Sequence, residues 1–196
     1  MREFALALLL VLSAAAHGES SDSLFAVDGE EFTKKSIGAP PNGDKLIEYV
    51  RENESFETWT KLIGLRYQRL PGVDNDPKRV AAMMAQVVKS RDPSSRSRVI
   101  ANDKTNEALI DFLTRSPDGA FMEFNVFRYA RSEDGNAVLS LQYAYRFTDV
   151  SEEGTKRFVA LRDSWISQII AIDIGTVAST LSQSGHSISL EQSRDR

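Results

Sequence analysis

Residues 121–131 read FMEFNVFRYAR, residues 132–136 read SEDGN, and residues 137–147 read AVLSLQYAYRF. This stretch decides the fold. The first segment is rich in Phe and Tyr, which favour a pleated, half-buried surface. Asp134-Gly135 then supplies the positive-φ position of a tight hairpin turn. The returning segment alternates with period two: Leu139, Leu141, Tyr143, Tyr145 and Phe147 point one way, and Ser140, Gln142 and Arg146 point the other. The pattern predicts an antiparallel hairpin with one greasy face.

Working outward, residues 107–115 (EALIDFLTR) are apolar and short enough for strand or helix. The turn residues Ser116-Pro117-Asp118-Gly119 that follow favour a strand. Residues 99–101 read as a short strand and residues 102–106 as a turn. Residues 61–70 (KLIGLRYQRL) alternate as well, with Ile63, Leu65 and Tyr67 on one face and Arg66 and Gln68 on the other. Residues 31–37 and 44–50 read as two further strands, separated by the Pro/Gly-rich loop 38–43. Residues 55–60 form a short polar connection around Trp59.

Two helices are predicted. Asp76 caps the first and Pro77 occupies its opening position, where a missing N–H costs nothing. Val80, Met83, Met84, Val87 and Val88 recur at helical spacing, and Asp92-Pro93 ends the run. Ser151 caps the second, whose apolar stripe is Phe158, Leu161, Trp165, Ile166, Ile169 and Ile170; Gly175 marks its end. Residues 176–196 are polar and Ser-rich and read as a flexible tail. Strands joined by hairpins with two covering amphipathic helices give an α+β domain, helices on an antiparallel sheet, over residues 30–175.

The opening residues say where the chain works. A basic start, an apolar core to Leu12 and the small residues Ser13 to Ala16 have the layout of a secretory signal peptide over residues 1–16. Cleavage after Ala16 or after Gly18 satisfies the small-residue requirement, and residues 17–29 read as a flexible mature start. The apolar core falls short of the roughly 20 residues a spanning helix needs. A periplasmic or secreted chain, free of stable membrane insertion, is expected. It has no cysteine, so packing rather than disulfides must hold it.

The 196 residues carry a net charge of −4, with no basic footprint for nucleic acid. No nucleophile elbow appears, and no histidine lies within the expected core to act as base. His17 would become a new N-terminus after cleavage at Ala16, and amine plus imidazole can chelate copper. A second histidine on the same face is then needed, and only His186 in the tail is available. Asp74-Asn75-Asp76 and Glu133-Asp134 have the flavour of cation ligands but fit turn and cap chemistry better. Ser90, Ser164 and Lys104 have no pattern around them that marks a Ser–Lys dyad. No metal or cofactor is implied.

Leu46-Ile47-Glu48-Tyr49-Val50 followed by Glu54-Ser55-Phe56-Glu57-Thr58-Trp59-Thr60 resembles the E-Y-V-P … W-T stretch of small exported bacterial proteins. Arg51 stands here where that stretch has proline. The element order is similar to the PsbP-like sandwich, in which two helices flank an antiparallel sheet. The resemblance implies a binding or assembly role and carries over no catalytic residue.

The expected function is therefore a non-enzymatic binding or protein-interaction module for an unidentified protein or small ligand. Trp59, Arg66, Tyr67 and Phe127 are the candidate contact residues. Trp59 fits a core ring that locks its loop onto the sheet better than a binding platform. Arg66, Arg69, Arg128 and Arg146 are candidates to line one polar sheet face and bind an anion. Two alternatives remain: an inhibitor or immunity protein that blocks a toxin, and a hydrolase built on a carboxylate pair.

Overall fold

The computed structural model describes residues 25–38 and 40–191, with the side chains of Pro41 and of residues 185–191 outside it. The expected leader, both expected cleavage positions and His17 lie outside the described residues. Among the described residues, nine strands and three α-helices follow in chain order: β1 (Ala26–Val27), β2 (Glu30–Glu31), β3 (Lys34–Gly38), β4 (Lys45–Val50), β5 (Lys61–Gln68), α1 (Pro77–Arg91), β6 (Ser97–Asn102), β7 (Glu107–Arg115), β8 (Met122–Arg131), β9 (Val138–Phe147), α2 (Glu152–Ala171) and α3 (Ile174–Glu191).

Strands β3 to β9 form one seven-stranded sheet in the order β3-β4-β5-β9-β8-β7-β6, antiparallel at every pairing. Two meanders meet at the central β5–β9 pair. The β8–β9 hairpin turns at Gly135, whose φ is 72°. Inside the turn the Ser132 hydroxyl donates to Asp134 Oδ1 at 2.6 Å and accepts from the Ala137 amide at 2.9 Å. The register pairs Phe124 with Tyr145 and Val126 with Tyr143, so the alternation read in residues 139–147 faces one core.

The sheet is covered on both sides, and the helices divide between them. Helix α1 buries Val80, Ala81 and Val88 against Ile110, Phe112, Phe127 and Tyr129. Helices α2 and α3 bury Phe158, Trp165, Ile169, Val177 and Leu181 on the other face, against Ile47, Ile63, Leu65, Leu141 and Tyr143. This corrects the single-layer picture: Ser140 and Gln142, outward in the sequence pattern, are buried on the α1 side, as is Ala144. Double coverage explains why residues of both parities avoid water.

Capping follows the expected chemistry. Asp76 Oδ1 accepts from the amides of Lys78 and Arg79, and the Ser151 hydroxyl accepts from the Gly154 amide. Within α2, Phe158, Trp165, Ile166 and Ile169 are buried, but Leu161 and Ile170 are exposed. At 100° per residue those two fall on the flanks of the stripe.

Four boundaries differ from the sequence reading. Gly175 does not end α2: that helix stops at Ala171, and Gly175 stands in the first turn of α3. The expected flexible tail from residue 176 is helical to Glu191, with Val177 and Leu181 buried. Asp173 starts it, its Oδ2 accepting from the Thr176 amide at 3.1 Å. At the other end, Phe25 and Val27 are buried in the core rather than part of a flexible start. Residues 26–31 form a small hairpin through Asp28 and Gly29, both at positive φ, so the strand expected over 31–37 is divided between β2 and β3.

Among the described residues no single helix is long and apolar enough to cross a membrane. Helices α2 and α3 together pass by composition, but they are bent by 67° and their apolar side chains pack on the sheet.

Candidate functional site

The four candidate contact residues separate onto two faces. Trp59, Arg66 and Phe127 lie on the α1 face, and Tyr67 lies on the α2–α3 face. Arg66 and Phe127 meet, with the guanidinium carbon 5.6 Å from the ring centroid. Trp59 is 7 % exposed and packs with Phe56, Val50, Leu62 and Ala144. The Arg146 guanidinium lies 3.5 Å from its ring centroid and pairs with Glu123 at 2.8 Å. Trp59 thus pins the loop of residues 51–60 to the sheet.

The four arginines do not share a face, because strand alternation separates them. Arg66 and Arg146 lie on the α1 side. Arg128 pairs across the strands with Leu141 and faces the other side. There it pairs with Glu107 at 2.9 Å and donates to the carbonyls of Ile170 and Ile172 at 2.9 and 2.6 Å, closing the end of α2. Arg69 lies just past β5.

The strand row Lys45–Tyr67–Leu139 runs across β4, β5 and β9. It forms the floor of a cleft of about 520 Å³ at the end of the sheet. Arg69 and Gly43 close one side, Ser132, Glu133 and Asp134 of the hairpin another, and Ala178, Leu181 and Ser182 of α3 the third. A second hollow of about 430 Å³ shares Tyr67, Arg69 and Asp134 and continues to Pro71, Asn75 and Asn136.

Both cations in the cleft bond to backbone carbonyls. Lys45 Nζ donates to the Leu181 carbonyl at 3.0 Å, and Arg69 Nη1 donates to the Asn42 carbonyl at 2.9 Å. Among the described residues neither forms an ion pair. The Arg69 guanidinium carbon sits 5.9 Å from the Tyr67 ring centroid. Gly43, at φ 77°, keeps open the space that Arg69 uses: a Cβ there would meet Nη1 at 3.3 Å. Asp134 is occupied by its own turn, accepting from Ser132, the Asn136 amide and Asn136 Nδ2. The hydrogen bond from Ser132, followed by those from Asn136, holds its carboxyl below the usual range. The cleft therefore sets two cations that form no ion pair among the described residues, with the hairpin carboxylates Glu133 and Asp134, around the exposed edges of Leu139, Ala178 and Leu181.

Buried carboxylates elsewhere are paired with arginine. Asp111 is 3 % exposed and bonds Arg98 on β6 at 3.0 Å and Arg162 on α2. Burial pushes the Glu54 carboxyl up, but hydrogen bonds from Arg51 and Thr60 overcome it and hold it at about 2. A general acid needs the opposite shift. The Asp74–Asp76 segment is spent on turn and cap: Asn75 Oδ1 accepts from the Leu70 amide, and Asp76 caps α1. The Ser90 hydroxyl donates to the Val87 carbonyl, and that of Ser164 accepts from Gln168. His186 falls within α3, with its side chain outside the described part. Among the described residues no group of three or more His, Asp or Glu is placed to hold a metal ion.

Sequence reasoning missed Lys45 and the α3 wall. Lys45 shares its strand parity with Ile47 and Tyr49, a signal that it turns toward the same side as the core. For α3 the signal was Asp173 followed by Ile174, Val177, Ala178 and Leu181 at helical spacing.

The fold defines an α+β protein with a two-sided antiparallel sheet. A family model matches residues 24–174, and the chain belongs to that family, which is functionally uncharacterised. The matched span reaches the first residue of α3, so the rest of that helix, with its share of the cleft wall, lies beyond it. No curated protein matches the chain.

Proposed function

We propose that this protein is a non-enzymatic binding module whose ligand is a small anion with an apolar body, held in the cleft between the β8–β9 hairpin and α3. One observation carries this reading: Lys45 and Arg69, without carboxylate partners among the described residues, flank the exposed edges of Leu139, Ala178 and Leu181. The volume falls within the range of small-molecule sites, roughly 300–1,000 Å³. A charge-assisted hydrogen bond from Arg69 or Lys45 would orient the anionic head. The leader-like opening supports work in the periplasm or outside the cell. The division of α1 and α2 onto opposite faces supports a PsbP-like sandwich as the wider relationship.

Calorimetric titration with octanoate, octan-1-ol and acetate tests the proposal. Octanoate should bind, and the neutral alcohol and the tailless acetate should bind far more weakly. Arg69→Gln should weaken octanoate by about tenfold or more, the usual effect of losing a hydrogen bond to a charged group. Equal binding of octanol, or an unchanged Arg69→Gln affinity in a variant that melts like the parent, contradicts it.

A further inference from the structure

On the face opposite the cleft, the register sets Arg66 beside Ser140 and Ser140 beside Tyr129, across β5, β9 and β8. Directly paired residues share a face, so the three side chains stand in one row. Ser140 and Tyr129 are only 1 % and 2 % exposed. Among the described residues, neither the Ser140 hydroxyl nor the Tyr129 hydroxyl has a hydrogen-bond partner. Buried polar groups are almost always paired, so two adjacent orphans ask for an occupant.

Arg66 has donors to spare. Its Nη1 donates to Gln142 Oε1 at 2.6 Å. Its Nη2 lies 3.8 Å from Glu48, too far for a hydrogen bond. Burial disfavours the Arg66 charge, and Glu48 opposes that effect from β4. Burial also keeps the Tyr129 phenol protonated, so it remains a donor, and the Arg66 charge acts on it. Gln142 is not free to serve as the missing acceptor. Its oxygen is taken by Arg66, and its amide donates to Asn125 at 2.7 Å.

We infer that a small monovalent anion, of halide or nitrate size, binds between the Arg66 guanidinium and the hydroxyls of Ser140 and Tyr129. All three groups donate there, so an acceptor completes them. A water molecule would complete the two hydroxyls alone, whereas an anion also pairs with the Arg66 charge, which Glu48 at 3.8 Å meets without a hydrogen bond. The site is separate from the cleft and independent of what the cleft binds.

Two measurements on the intact protein test this. In crystals soaked in bromide, anomalous scattering should place a peak within hydrogen-bond distance of Arg66, Ser140 and Tyr129. In thermal melts at fixed ionic strength, replacing gluconate by bromide should raise the midpoint. A hundredfold excess over the dissociation constant corresponds to a rise of about 5–10 °C. Tyr129→Phe, which keeps the ring and its packing, should lose at least half of that rise. No bromide peak at these groups, or equal melting in bromide and gluconate, overturns the proposal. So does a Tyr129→Phe variant whose bromide response matches the parent, since a truly unpartnered hydroxyl can be removed at no cost.

Discussion

Gly64 sits in the middle of β5 at an ordinary strand conformation, and its missing side chain is used. A Cβ there would lie 2.9 Å from Gln142 Oε1 and 3.0 Å from Arg66 Nη1. The two polar side chains meet in the space a methyl group would fill. Gly64→Ala should therefore push these two side-chain ends apart and cost about 0.5–1.5 kcal/mol, the usual worth of the hydrogen bond between them, readable in a urea melt. Glu54 makes a second case. Its folded value of about 2 lies below its ordinary 4.5, because Arg51 and Thr60 bind the charged form. The sign follows from linkage: the stabilisation is present above about pH 4.5 and is lost as pH falls toward 2. Stability measured between pH 6 and 2.5 should drop, and Glu54→Gln should flatten that drop while lowering neutral-pH stability by roughly 1–3 kcal/mol. A Glu54→Gln acid profile parallel to the parent's would show that the carboxyl gains nothing from Arg51.

At the scale of elements, α3 and the β6 edge are held by different means. Helix α3 is held by burial: Val177 and Leu181 sit in the main core. Leu181→Ala should cost about 2–4 kcal/mol in a denaturant melt. A surface tail would show almost no change. The edge strand β6 is exposed along its length and is tied instead by Asp111, which bonds both Arg98 and Arg162. Asp111→Asn weakens both links at once, with an expected loss of about 2–4 kcal/mol. The sequence disclosed these elements unevenly. Residues 138–147 declared themselves because alternate positions are large and apolar, and α1 because Asp76-Pro77 is a start signal. Helix α3 hid because Ser, Thr and Gln fill its outer face, so average polarity masked the Val177 and Leu181 stripe. The cleft hid for another reason. Lys45, Tyr67, Arg69, Leu139 and Leu181 come from three strands, the residues just past β5 and a helix, and only the β4-β5-β9 order brings them together. Tyr67 was legible as a candidate; its partners depended on register.

At the scale of the molecule, one sheet carries apolar packing on both faces, and each face holds one tryptophan: Trp165 in the main core, and Trp59 in a small cluster with Val50, Leu62 and Ala144 apart from the one under α1. Trp59 reports on the α1 face and Trp165 on the α2–α3 face. Because both layers rest on the same strands, they should come apart together. Unfolding of Trp59→Phe followed by Trp165 fluorescence, and of Trp165→Phe followed by Trp59, should each coincide with loss of circular dichroism in that variant. Separate midpoints would show two independently stable halves. The same construction leaves one end of the sheet open between the hairpin and α3, and the proposed binding role rests on that opening. A crystal structure with octanoate is the most direct test of it. The account predicts the carboxylate within hydrogen-bond reach of Lys45 Nζ or the Arg69 guanidinium, with the chain lying on Leu139 and Leu181. Octanoate seated elsewhere, or reversed with its carboxylate in solvent and no contact to either cation, would contradict it.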